Sequence, residues 1–167
     1  MSFTNRISRT LHDEHSATVA LMERLGQLLR RYPRGIPPDA NELGVTQFLS
    51  ELSTCVDAEI QRHFTFEEQY LFAFLDAIGE GAIGAHLTDD HIAMRPLALR
   101  IAALAREAAA QGFNQTSWGE FDRLGRELCE RILPHIEKEE MALLPLLEES
   151  MDANTEARLC LEYTEAV

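Results

Sequence analysis

The sequence predicts an all-α protein: an antiparallel up-down-up-down four-helix bundle with a short fifth helix at the C-terminus. Apolar residues recur at helical spacing in four long segments, and none of these segments shows the two-residue alternation of a strand. The connections between the segments are short and contain proline or glycine, as in antiparallel bundles. We expect one domain over residues 1–167, with the core bundle at about 6–149 and the last helix at about 155–163.

The first two helices are separated by a proline-rich connection. The first is expected at residues 6–31, and the three prolines and the glycine of residues 32–38 end it, because proline cannot continue a helix. Asp39, with Glu42 three residues later, resembles a capping box. This pair predicts a second, long helix at about 40–78.

The glycine-rich stretch at residues 79–84 reads G-x-G-x-x-G, the pattern of a dinucleotide-binding loop. That loop would follow a strand, whereas the preceding segment has helical periodicity, so we expect these glycines to end one helix and turn the chain. A third helix is expected at residues 85–111. Ser117 and Glu120 form a second candidate capping box, which predicts a fourth helix that ends near residue 149.

The composition excludes several classes of partner. The net charge of −13 and the pI near 4.8 disfavour nucleic acid and anionic membrane surfaces. No apolar run reaches the length of a membrane span, and the first residues lack the apolar region of a signal peptide. The three cysteines are an odd number without a C-x-x-C pair, so we expect reduced thiols and a cytoplasmic protein.

Two stretches of the chain carry the same motif. Residues 63–68 and residues 135–140 both read H-x-x-x-E-E, at an offset of 135 − 63 = 72. Residues four apart on a helix are about 40° apart around its axis, so each histidine shares a face with the first glutamate. One such spacing is commonly accidental. Two copies in register indicate that the helices present metal ligands to a bundle core.

An internal repeat adds one histidine to each copy. Residues 13–15 read D-E-H and residues 89–91 read D-D-H, at an offset of 91 − 15 = 76. The chain therefore contains two units, each with an acidic-acidic-His stretch on its first helix and H-x-x-x-E-E on its second. The candidate metal ligands are His15, His63, Glu67, His91, His135 and Glu139.

The two remaining histidines have no counterpart in the other unit. His12 lies one turn from His15, so we expect it near the site but outside the ligand set. His86 precedes His91 by five residues, about 140° around the helix. We expect His86 to cap the helix or to face solvent.

Three further side chains are candidates for the surroundings of the site. Glu68 and Glu140 follow the first glutamates and could orient the histidines, with exposed surface charge as the alternative. Tyr70 lies seven residues after His63 and therefore on its face of a regular helix. It could donate to a bound ligand or replace a missing one, and the alternative is an ordinary packed tyrosine.

The ligand set narrows the choice of metal. Six ligands are too many for one structural zinc ion, and four imidazoles do not suit calcium or magnesium. A mixture of imidazole and carboxylate suits iron or manganese. Two ions that share Glu67 and Glu139 would use all six ligands. The Glu-x-x-His spacing of ferritin-type di-iron proteins does not occur at any histidine.

These residues together resemble the hemerythrin-like, HHE cation-binding domain family. The apolar segments at 71–75 and 143–147 are similar to the "LFPxL" endings of that family, although Ala73 stands where the first ending has proline. The resemblance spans residues 11–149. It implies a four-helix bundle with two iron ions in an oxo- or hydroxo-bridged non-haem centre that binds dioxygen, nitric oxide or peroxide. Manganese or zinc could take the place of iron.

One ligand of typical hemerythrins is missing. They carry a fifth histidine one turn along the third helix, where this chain has Leu87 on one side of His91 and Arg95 on the other. The resemblance therefore implies a centre with one nitrogen ligand fewer, a place that solvent, tyrosine or carboxylate could take, and it does not imply reversible oxygen carriage.

The leading functional hypothesis is a non-haem di-iron protein that binds, senses or detoxifies a small ligand or handles iron. One alternative is an enzyme, a di-iron oxidase or peroxidase that turns over peroxide or nitric oxide. Another is a signalling or interaction module that the metal stabilises. We favour binding over catalysis, and the sequence points to no particular protein partner.

Overall fold

The computed structural model describes residues 3–39 and 41–165, with the backbone alone described at 59–61. Within these ranges the chain forms helices and no strand, which confirms the all-α prediction. No helix formed by these residues combines the length and the apolarity needed to cross a bilayer. The helices of the described residues are α1 (Arg6–Arg31), α2 (residues 43–77), α3 (Gly81–Gln111), α4 (residues 115–150) and α5 (Ala153–Glu165).

Helices α2 and α4 contain π-helical turns, in which the backbone hydrogen bond spans five residues instead of four. In α2 these turns cover Glu59–Phe64 and Glu67–Leu71, and in α4 one covers Glu139–Leu143. The N–H of Phe72 donates to the carbonyl of Glu67. Each π turn holds an extra residue, so the regular spacing of 3.6 residues per turn is lost at these places.

Neighbouring helices run antiparallel, as the sequence predicts. Between α1 and α2, Glu14 pairs with Arg62 while Arg24 pairs with Glu51, so residue numbers rise on one helix as they fall on the other. The remaining neighbours show the same opposition. The pairs are Glu68–Arg95 and Asp57–Arg106 between α2 and α3, and Asp90–Lys138 and Arg100–Glu120 between α3 and α4. Between α1 and α4 they are His12–Glu140 and Leu29–Arg126.

The hydrophobic core has two separate parts. The tryptophan cluster, at the end of the bundle where α1 joins α2, includes the fully buried Leu25, Leu52, Ile101, Trp118 and Phe121. The terminal-helix cluster, at the opposite end, includes the fully buried Phe66, Leu71, Leu75, Leu143 and Leu159, the last of these from α5. On each helix, the histidine of the predicted site lies near the point where the residues of one cluster give way to those of the other. A polar layer therefore divides the core.

Helix boundaries agree with the prediction at α1 and differ at α4. The predicted start of the second helix at residue 40 lies outside the described residues. Helix α4 starts earlier than expected because Asn114, rather than Ser117, is its cap: the Asn114 side chain accepts from the Thr116 and Ser117 amides. The Ser117 hydroxyl accepts in turn from the amide of Asn114. Glu120 pairs with Arg100 instead of capping the helix.

The glycine-rich stretch is a helix connection, as expected from the helical periodicity before it. Gly79 has φ +87°, a left-handed conformation that glycine adopts without steric cost, and it follows the end of α2. Gly84 lies in the first turns of α3, which begins four residues before the predicted position. A Cβ at Gly84 would lie 2.9 Å from the Cβ of Phe72, so α3 packs closely on α2 at this point.

We expect Gly84→Ala to destabilise the protein by about 1–3 kcal/mol, because the added methyl group must push α3 away from α2. Gly119→Ala is the matched control: its Cβ would meet nothing within 4 Å in α4, so it should stabilise by about 0.5–1 kcal/mol. Chemical denaturation of both variants measures the difference. A Gly84→Ala protein as stable as the control variant would contradict the close packing.

Candidate metal centre

The six predicted ligands meet in the polar layer between the two core clusters. Helices α1 and α3 each supply one histidine, and α2 and α4 each supply one histidine and one glutamate. Each of these side chains is at most 1 % exposed. The residues brought together are His15, His63, Glu67, His91, His135 and Glu139.

The ligand atoms form two overlapping groups of four. His15 and His63 belong to one group and His91 and His135 to the other, while Glu67 and Glu139 belong to both. The ligand atoms within each group lie within 4.8 Å of one another. The Nε2 atoms of His15 and His63 are 3.3 Å apart, and those of His91 and His135 are 3.1 Å apart. Each group thus surrounds a space of the size that a single cation occupies.

Each shared glutamate directs one oxygen to each group. Oε1 of Glu67 lies 3.2 Å from Nε2 of His63, and Oε2 lies 3.4 Å from Nε2 of His91. Glu139 mirrors this arrangement, with Oε1 3.1 Å from Nε2 of His135 and Oε2 3.1 Å from Nε2 of His15. The two carboxylates are therefore placed to bridge two positions.

The carboxylate oxygens of this site fit a metal. Among the described residues, none donates a hydrogen bond of acceptable geometry to either oxygen of Glu67 or Glu139, although all four oxygens are buried. Buried carboxylate oxygens without a donor are rare, because their desolvation must be compensated. Cations in the two groups would compensate all four oxygens, and imidazole nitrogen with carboxylate oxygen is a suitable donor set.

A ring of outer carboxylates orients the histidines. Each Nδ1 atom lies on a carboxylate oxygen, which indicates that the proton is on Nδ1 and that the Nε2 lone pair points to the centre. The contacts are symmetric between the two units. In each unit, the acidic residue before the first histidine contacts the second histidine of the same unit, and the last glutamate contacts the first histidine of the other unit. The pairs are His63–Glu14 at 2.9 Å, His135–Asp90 at 3.3 Å, His91–Glu68 at 2.9 Å and His15–Glu140 at 2.7 Å.

Each outer carboxylate has a further nitrogen partner at the surface side of the site. These partners limit the free movement of the carboxylates, and the arginines and the lysine among them also offset the carboxylate charge. His12 is one of them, which agrees with the expectation that it lies near the site outside the ligand set. The pairs are Glu14–Arg62 at 2.5 Å, Asp90–Lys138 at 2.6 Å, Glu68–Arg95 at 2.7 Å and Glu140–His12 at 2.8 Å.

Burial and mutual charge perturb the ionisation of the central groups. Burial and the negative charge of Glu139 raise the pKa of the Glu67 carboxyl. Burial acts in the same direction on Glu139, but the close approach of His135 and His15 outweighs it and brings the pKa of Glu139 far below its usual range. Burial and the neighbouring His135 lower the pKa of His91 to about 4. His91 is therefore neutral at pH 7, the form that binds metal ions.

The π turns coincide with the ligands. His63 lies in the first π turn of α2. Glu67 is the first residue of the second π turn of α2, and Glu139 is the first residue of the π turn of α4. Single π turns within α-helices frequently occur at functional sites. The extra residue also explains why Tyr70 is not on the ligand face: its ring packs against Phe66, and its strongest charge interaction is with Glu162 of α5.

The positions next to His91 supply no fifth nitrogen ligand. Leu87 is buried in the terminal-helix cluster. Arg95 pairs with Glu68 and lies over the ring of Phe64. His86 is exposed on α3, as expected.

Sequence reasoning missed part of the outer ring. Glu14 and Asp90 were available as signals, because each directly precedes a predicted ligand in the repeated acidic-acidic-His stretch. Their partners Arg62 and Lys138 carry no repeated spacing. Only the antiparallel register of the helices brings them to the carboxylates.

Histidines and glutamates that converge from four helices define this chain as a cation-binding helical bundle. The family model of the Hemerythrin HHE cation binding domain matches residues 6–147, most of the chain. The chain therefore belongs to the hemerythrin HHE cation-binding domain family. A search of curated proteins gave no significant match. Helix α5 begins at Ala153, beyond the matched residues.

We expect Glu68→Gln to weaken metal binding by about 10- to 100-fold. The neutral amide of glutamine orients the ring of His91 less well than the carboxylate does, and it lacks the negative charge that makes the imidazole a better ligand. Glu137→Gln on the exposed side of α4 is the control and should bind metal as the unaltered protein does. Competition with a chelator measures both affinities. Equal affinities for the two variants would contradict the orienting role of Glu68.

Proposed function

We propose that this protein is a non-haem di-iron protein that binds, senses or detoxifies a small ligand such as dioxygen, nitric oxide or peroxide, or that handles iron. One observation carries the proposal: two buried groups of ligands share both of their carboxylates. Two cations held there would account for the burial of all six predicted ligands at once.

The donor count supports iron over zinc. Each group offers two imidazole nitrogens and two carboxylate oxygens. Four donors complete the usual coordination of zinc, whereas iron commonly takes six ligands and would keep positions open. Iron bound there would supply redox chemistry and binding positions for a small ligand.

An apolar cavity, separated from the ligand His91 by the ring of Phe64, supports a small, uncharged ligand. It has a volume of about 20 Å³, room for about one water-sized molecule. Phe64 lines it and stacks flat on His91, with the ring centroids 3.8 Å apart. The rest of the lining is mostly aliphatic or thioether and includes Met22, Val56, Met94, Ala98 and Ile132. Such a lining excludes water and accepts dioxygen or nitric oxide.

The enzymatic alternative is an oxidase or peroxidase that turns over peroxide or nitric oxide at this site. Catalytic turnover of peroxide would support the enzyme, whereas one ligand bound per site without turnover would support the binding protein.

The cysteines support a cytoplasmic setting. Cys55, Cys129 and Cys160 do not form disulfides, and Cys55 is exposed. An exposed thiol outside a disulfide is typical of a reducing compartment.

The direct experiment is metal analysis of protein purified from iron-supplemented cells. We expect about two iron ions per chain, one for each ligand group, with visible charge-transfer absorption. His63→Ala and Glu139→Ala should lose iron, because each removes a buried ligand, while His86→Ala should retain it. A colourless, iron-free protein would overturn the proposal.

We expect Ala98→Leu to fill the apolar cavity and to slow nitric oxide binding about tenfold, equivalent to about 1.4 kcal/mol in the barrier. Its iron content should not change, because Ala98 contacts the cavity and is not a ligand. Stopped-flow absorption of the iron-loaded protein measures the rate. An unchanged association rate would show that ligands do not pass through the cavity.

A further inference from the structure

Helix α5 is docked on the bundle next to the metal centre. Leu159 anchors it with a fully buried side chain in the terminal-helix cluster. In the first turn of α5, Glu156 accepts a hydrogen bond of 2.8 Å from the backbone amide of Arg6. This helix lies outside the residues matched by the family model, so the family does not account for it.

Tyr163 connects α5 to the outer carboxylates. Its ring packs edge-on against Phe66, with centroids 4.7 Å apart, and under the guanidinium of Arg62 at 5.2 Å. Its hydroxyl donates a hydrogen bond to Oε2 of Glu14. The same oxygen lies 2.9 Å from Nδ1 of His63. One carboxylate oxygen therefore links the phenol of α5 to a predicted ligand.

This contact breaks the symmetry of the two halves. Asp90, the counterpart of Glu14, is held by His135 and by Lys138, whose Nζ lies 2.6 Å away. Lys138 matches Arg62 in that role, but none of the residues that the structure describes matches Tyr163. The other two tyrosines have other polar partners: the hydroxyl of Tyr32 bonds Glu42, and Tyr70, whose ring also packs on Phe66, interacts with Glu162.

We propose that Tyr163 is a positioning residue for the metal centre: it fixes Glu14, which holds His63, so that docking of α5 and metal binding at the His15–His63 position stabilise each other. This inference rests on the proposed function, because it needs a metal ion at that position. Burial and the hydrogen bond to Glu14 raise the pKa of Tyr163, so the hydroxyl remains a donor at neutral pH.

Two consequences follow from the geometry. Linkage is reciprocal, so a metal ion that requires an oriented His63 must also favour the docked state of α5. The effect must also fall on one position more than the other, because the contact network of Asp90 and His135 contains no residue of α5.

The test compares Tyr163→Phe with Tyr70→Phe. The first variant keeps the ring that packs on Phe66 and loses only the hydroxyl that holds Glu14. The second variant removes the hydroxyl of Tyr70, which interacts with Glu162 of α5. This hydroxyl is not one of the groups that hold Glu14. Both are loaded anaerobically with Fe²⁺, and affinity is measured by chelator competition.

We expect Tyr163→Phe to bind one Fe²⁺ about 10- to 100-fold more weakly while the second ion is unaffected, and we expect Tyr70→Phe to bind both normally. Hydrogen exchange of the α5 amides is the second measurement. Fe²⁺ should slow exchange in the unaltered protein and in Tyr70→Phe, and should have little effect in Tyr163→Phe.

The outcomes separate this inference from the proposed function. If the unaltered protein binds no Fe²⁺, the proposed function fails and this inference fails with it. If it binds two ions and Tyr163→Phe binds them equally well, with α5 exchange still slowed by iron, the role of Tyr163 is wrong and the di-iron proposal stands. Equal weakening of both ions would also overturn the inference, because it would indicate a general loss of packing.

Discussion

Two buried carboxylates facing one another set the main constraint on this protein. Glu67 and Glu139 are fully buried, and their oxygens have no hydrogen-bond donor among the described residues. Taking an ionised carboxylate out of water costs roughly several kcal/mol even after the protein relaxes. A bundle core tolerates such groups when cations bind between them, and the four imidazole nitrogens around the same space would supply the remaining ligand atoms. The need to balance the charge at the centre explains why the ligands are surrounded first by a ring of outer carboxylates and then by the nitrogen partners of those carboxylates.

The layers around the centre repeat because the chain repeats. Each half supplies a histidine preceded by an acidic residue, then a histidine and two glutamates, and the antiparallel bundle brings the halves together about a pseudo-two-fold axis. Within a half, the acidic residue holds the second histidine. Between halves, the last glutamate holds the first histidine of the other half. Each half therefore completes the orientation of the other, and neither forms a full site alone.

Much of this arrangement could be predicted from the sequence because it depends on periodicity. The internal repeat placed His15 and His91 with the two H-x-x-x-E-E stretches, and the described helices follow the predicted order. The π turns could not be predicted, since one extra hydrogen-bonded residue leaves the apolar pattern almost unchanged. That extra residue is why the face expected for Tyr70 was wrong. The contact of Tyr163 with Glu14 depends on how a separate helix docks, which no local spacing encodes.

The division of the core into two clusters gives the protein a built-in optical reporter. Trp118 is the only tryptophan in the chain and is fully buried in the cluster on the far side of the polar layer. It lies 135 − 118 = 17 residues before His135 on α4, about 25 Å along the helix axis. Its emission therefore follows the unfolding of the end of the bundle where α1 joins α2, which contains no predicted ligand. If the centre holds iron as proposed, loss of visible absorption before any shift in this fluorescence would identify partial unfolding that starts at the metal centre.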